Sequence, residues 1–317
     1  MRLFSDAIIE ESIKENISDE ITEILESAFE TQSIINSYMI ESSNIVNESA
    51  FIDAINIVAQ KIVKFIKYLY EKFISLFMKK TDYIEYILNK YSGFIKNLTD
   101  EDLKNIVYEY KEFNFPKNVP SYGYFNIIQK SITNLSKLKI TTADIENFKY
   151  IYTEQLDLIR GKIIGVSEKV PQYEFASRIK SIFRGSDEVF VKELTKRDLN
   201  RMIDDFIKYK DVKKMIEADR DNILREYDKY VKIALNVINV KFDVDSLGAS
   251  LKSDKGEKVV VDIATANRHK EYQALIVSFI SQIMESYSVV FKEKLDALKD
   301  KYNMETEILK KIISLVV

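Results

Sequence analysis

Between residues 51 and 79 apolar side chains return every three or four positions: Ile55, Val58, Ile62, Phe65, Ile66, Leu69, Phe73 and Leu76. That period lines one face of a helix. Lys61, Lys64, Lys67, Lys72, Lys79 and Lys80 surround the stripe, opposed only by Asp53 and Glu71. The spacing therefore predicts a basic amphipathic helix. The same period recurs downstream. It predicts a helix to about Asn97 after a break at Thr81-Asp82, another from Glu101 to Tyr110, and others near 125–137 and 142–160. Thr141 with Asp144 reads as a capping box for the last of these, and Thr195 with Asp198 opens a further helix. Helices are predicted over 172–183, over 197–240 with a break near Tyr209, over 264–301, and from Glu305 to Val317 after an interruption at Tyr302-Asn303.

Two stretches depart from this period. From 157 to 194 the chain carries Gly161, Gly165, Pro171 and Gly185, four of its ten Gly and Pro residues (7 + 3). Glu188 to Leu194 alternates apolar and polar as a short strand does. This predicts a small strand and turn insertion between helical halves. Residues 242–257, with Gly248, Gly256 and several Ser and Asp residues, read as a loop before a short strand near 258–263. The expected fold is mainly α, an elongated multi-helix array or bundle. Its sequential parts are an arm over 1–50, a helical region over 51–157, the insertion over 158–194 and a helical region over 195–317.

Charge changes this picture at one end. Residues 1–50 hold eleven acids and two bases, 2 − 11 = −9, against −3 for the whole chain, so the remainder carries +6. Residues 51–80 alone carry 6 − 2 = +4. Opposite fields so near in sequence attract. Each exposed ion pair contributes only about 0–1 kcal/mol, so apolar side chains such as Leu25 and Phe29 would do most of the docking. The candidate interaction residues are Leu25 and Phe29 on the arm, and Lys61, Lys64, Phe65, Lys67, Phe73, Lys79 and Lys80 on the basic helix.

The chemistry-bearing motifs are few. With no Cys and one His, neither a thiolate centre nor a His/Cys zinc site can be assembled within one chain. No GxxxxGK[ST], no strand-borne GxGxxG and no GxSxG occurs. His269 lies between Arg268 and Lys270, a cationic setting without a carboxylate to orient it. Carboxylate pairs such as Asp204-Asp205 are expected by chance among 50 acids. An enzyme is not expected, nor a cofactor, a metal or a specific nucleic-acid partner, given a pI near 5.6. The N-terminal residues reach acids at once and predict no signal peptide.

The order of features is itself informative. An acidic Glu-Ser-Ala-rich arm (Glu26-Ser27-Ala28-Phe29 and Glu48-Ser49-Ala50-Phe51) precedes the Lys/Phe/Ile helix and a helical body. Midway come Leu158-Ile159-Arg160-Gly161-Lys162-Ile163-Ile164-Gly165, then Phe175, then Ile182-Phe183-Arg184-Gly185. This layout resembles helical virion structural proteins of large tailed bacteriophages of low-GC Gram-positive hosts. The resemblance implies a non-enzymatic component of the virion, made in the host cytoplasm, whose partners are other virion proteins or further copies of itself. It carries over no functional residue. The alternative is a membrane-active or ejected helical protein that uses the helix over 51–79.

Overall fold

The computed structural model describes residues 67–68, 70–71, 74–75, 78, 82, 84–124, 142–185, 189–238, 242–245, 248–252, 258–261 and 263–314. The chain is mainly α, as its periodicity predicts. After helical residues 84–90 come α1 (Ser92–Asn97), α2 (Asp100–Leu103), β1 (Val107–Tyr110), α3 (Thr142–Ile163), α4 (Gln172–Arg184), β2 (Phe190–Glu193), α5 (Lys196–Ile207), α6 (Tyr209–Ile238), β3 (Phe242–Asp245), β4 (Gly248–Lys252), β5 (Lys258–Val261) and α7 (Ile263–Ile313). Two compact units arise, each assembled from three separate stretches: 1–65, 129–146 and 230–277 in one, 66–128, 147–229 and 278–317 in the other. The first contains an antiparallel meander in which β4 lies between β3 and β5. The strand near 258–263 is thus present as β5. Residues 242–245 and 248–252, expected as loop, pair as β3 and β4 instead, with Gly248 opposite Asp245.

The second unit is organised around residues 278–313 of α7. Ile283, Tyr287, Val290 and Phe291 are completely buried, at three- and four-residue steps. Each neighbouring element has its own tie to this helix. Tyr152 of α3 packs on Phe279, and Phe206 of α5 packs on Tyr302. The Tyr227 hydroxyl of α6 donates to the Met284 carbonyl, beside the Ser288 hydroxyl. Arg184 at the end of α4 meets Glu293 and Asp300, and Lys311 donates to the Val107 carbonyl of β1. Residues 302–303 do not interrupt α7. Tyr302 is buried against Phe206 rather than marking a turn, because its ring supplies apolar surface at a core position.

Two further departures have local causes. The helix expected over 101–110 stops at Leu103. Val107 to Tyr110 pair antiparallel with β2, from Val107 opposite Glu193 to Tyr110 opposite Phe190. In this register Tyr108 is buried while Val107 and Glu109 face outward, a period of two that suits aromatic and β-branched residues. Leu158 to Ile163, assigned from the sequence to the strand and turn insertion, instead complete α3, with Ile159 and Ile163 fully buried. The break comes just afterwards. Gly165 takes a left-handed φ of 80°, its N–H donates to the Lys162 carbonyl, and the Val166 N–H donates to the Gly161 carbonyl. This is a Schellman stop. The following loop folds back so closely that a Cβ on Gly161 would lie 2.0 Å from the Glu168 carbonyl oxygen. Alanine normally stabilises a helix interior by about 1 kcal/mol relative to glycine. Here Gly161→Ala is expected to destabilise by about 1–3 kcal/mol through overpacking, measured by urea denaturation. An unchanged midpoint would show that the loop yields.

Candidate interaction groove

The segment Leu199-Asn200-Arg201-Met202-Ile203-Asp204-Asp205-Phe206-Ile207 carries apolar residues at three- and four-residue steps, and the helix it forms, α5, is fixed at both ends. At its start the Thr195 hydroxyl accepts from the Asp198 N–H while Asp198 accepts from Thr195, the capping box its sequence predicts. Lys196 then clasps the preceding elements. Its backbone N–H donates to Asp100 Oδ1 at 2.6 Å, and its Nζ donates to the carbonyls of Ile95 and Lys96 at 2.7 and 3.1 Å. A cation on the last carbonyls of α1 satisfies groups that the helix leaves unpaired and complements its dipole. At the other end Asp205 accepts from Lys301 Nζ at 2.6 Å.

This fixed helix and the helical residues 84–97 enclose a groove of about 420 Å³. Ile84, Ile95 and Phe206 form its nearly buried floor, Leu88 and Ile203 are half-buried, and Ile207 stands 68 % exposed at the lip. The charged residues along the groove are Lys96, Lys210 and Glu85. An isoleucine this exposed beside an apolar concavity is surface of the kind that helix-in-groove recognition uses.

Several buried polar groups of the same unit are paired. Lys294, 2 % exposed, donates to the Val119 carbonyl at 2.9 Å and to Asp219 Oδ2 at 2.7 Å. The Tyr122 ring stacks on Tyr287, and its hydroxyl reaches Asp219. Burial raises the Asp219 carboxyl above its usual range, and Lys294 opposes that shift. Arg160 donates to Asp157 at 2.9 Å and to Gln282 at 3.0 Å, and burial lowers its pKa. Glu305, like Glu226, keeps one buried carboxylate oxygen without a hydrogen-bond partner. It is 4 % exposed, its Oε2 has no hydrogen-bond partner, and its Oε1 is 3.7 Å from Lys301 Nζ. Burial, reinforced by Asp205, raises its carboxyl to about 7 against the offsetting pull of Lys301 and Arg201. These groups tie α7 to α5, α6 and the loop over 111–124.

Of the interaction residues named from the sequence, Lys67 is exposed on a helical stretch. Leu25, Phe29, Lys61, Lys64, Phe65, Phe73, Lys79 and Lys80 lie outside the described residues. The groove residues are not among those candidates. A signal for them exists in Phe206-Ile207, because Ile207 follows Ile203 by four positions and widens the apolar stripe of α5 beyond what its core contact requires. Among the described residues no group of acids or histidine is placed to hold a metal ion, and no helix is long and apolar enough to cross a membrane. No family model, no curated protein and no solved structure matches the chain.

Proposed function

We propose that this chain is a non-enzymatic assembly protein that works through protein–protein contacts, and that the particle it serves is a tailed-phage virion. The observation that carries the contact role is the open apolar groove with Ile207 exposed at its lip, held between helices that Lys196 and Lys301 fix in place. A preformed groove spares its ligand the cost of ordering the receptor. The virion reading rests on the resemblance of the layout and of residues 158–185. In the fold these central residues end one helix, turn the chain tightly and start the next, which is scaffold work. Mass spectrometry of purified particles tests the reading: the chain is expected at a fixed copy number per particle. Its absence from particles, together with salt-sensitive binding of the protein to anionic vesicles, would replace this reading with a membrane-active one.

A further inference from the structure

We propose that the groove between helical residues 84–97 and the junction of α5 with α6 receives residues 19–30 of a second copy of this chain, docked as an amphipathic helix. The inference rests on the assembly reading and names the partner for the same groove. Two observations carry it.

The first is pattern. In Asp19-Glu20-Ile21-Thr22-Glu23-Ile24-Leu25-Glu26-Ser27-Ala28-Phe29-Glu30, the residues Ile21, Leu25 and Phe29 fall four apart, with Ala28 on the same stripe. Such i, i+4, i+7, i+8 anchors are what helix-in-groove recognition uses. Eight residues of helix advance about 12 Å, and a groove of about 420 Å³ has room for a few side chains rather than a whole helix.

The second is charge. All five charged residues of 19–30 are acidic: Asp19, Glu20, Glu23, Glu26 and Glu30. Two of the three charged groove residues, Lys96 and Lys210, are cations, against Glu85. Acids flanking the three anchors would therefore meet ammonium groups beside an apolar floor. That arrangement steers the approach and selects orientation more than it adds affinity.

Reciprocal exchange of two arms would give a closed pair, and one-way donation would give a chain of copies.

The test uses the full chain and two variants. Ile207→Glu spoils the groove; because this side chain is 68 % exposed, the variant is expected to fold, checked by circular dichroism. Leu25→Asp with Phe29→Asp spoils the arm. Sedimentation velocity over a concentration series is expected to show association of the unaltered chain, at least tenfold weaker association of each variant alone, and recovery when the two variants are mixed. Recovery arises because the intact arm of one variant can still enter the intact groove of the other. Lys96→Glu with Lys210→Glu should weaken association and reduce its salt dependence. A monomeric unaltered chain overturns the inference. So does a mixture that fails to recover, since the contact would then lie within one chain or on another surface. Neither result touches the particle assignment, which stands or falls on the chain's presence in virions.

Discussion

Lys294→Met is expected to destabilise the α7-centred unit by about 3–5 kcal/mol, because it leaves the charge of Asp219 buried without its partner. The ammonium is 2 % exposed and lies 2.7 Å from Asp219 Oδ2 and 2.9 Å from the Val119 carbonyl. Methionine fills much of the same volume, so the loss is electrostatic rather than a cavity effect. The carbonyl of Val119 loses its donor at the same time, a further cost for a buried acceptor. Adding Asp219→Asn removes the stranded charge while keeping an acceptor for the Tyr122 hydroxyl. The double variant is therefore expected to recover a large part of the loss, giving a favourable coupling between the two sites in a double-mutant cycle. Chemical denaturation of the four proteins measures it. A loss below about 1 kcal/mol for Lys294→Met would mean that water reaches the pair.

The second large effect depends on pH. Burial pushes the Glu305 carboxyl up to about 7 in the folded protein, against the ordinary 4.5 of the unfolded chain. Between those values the folded state holds a proton that the unfolded state has released. The folded state thus binds more protons in that window, and stability falls as pH rises through it. Above about pH 7 the full penalty is in place, about 3 kcal/mol from a separation of roughly 2.5 pK units. Below about 4.5 the contribution vanishes. Glu305→Gln removes the ionisation and keeps the shape. It is expected to be more stable than the unaltered chain at pH 8 by up to about 3 kcal/mol, with the difference shrinking as pH falls toward 4.5. Parallel stability curves for the two proteins across pH 4.5–8 would show that Glu305 is hydrated or paired in solution.

The helices were largely legible in the sequence, and the physical reason is locality. The apolar steps of α5, the capping box Thr195–Asp198 and the glycine stop after Arg184 each act within a few residues. The strand β2 was also legible as an alternating stretch. Its partner was not. Val107 to Tyr110 lie 80 to 86 residues before the positions they pair with (190 − 110 and 193 − 107), and nothing near them states that distant choice. Local propensity around Glu101 to Leu103 favours a helix, and tertiary pairing overrides it from Val107 onward. Gly161 and Gly165 signal a break in the chain but do not locate it. One serves close packing inside α3 and the other the turn after it. The groove was the least legible feature, since its two walls come from residues 84–97 and 203–210 and only the fold brings them together. Ile207 alone hinted at it.

The central place of α7 fixes an order of events during synthesis. Tyr287, Phe291 and Leu295, which fill the middle of its unit, are made after every residue of β1, α3, α4, β2 and α5 that is tied to that helix. Until α7 emerges from the ribosome, the ties from α3, α4, α5 and α6 to it cannot form. The unit therefore closes only after translation has passed Lys311, whose ammonium reaches back 204 positions to Val107. Long-range closure of this kind is slow and leaves apolar surface exposed in the meantime.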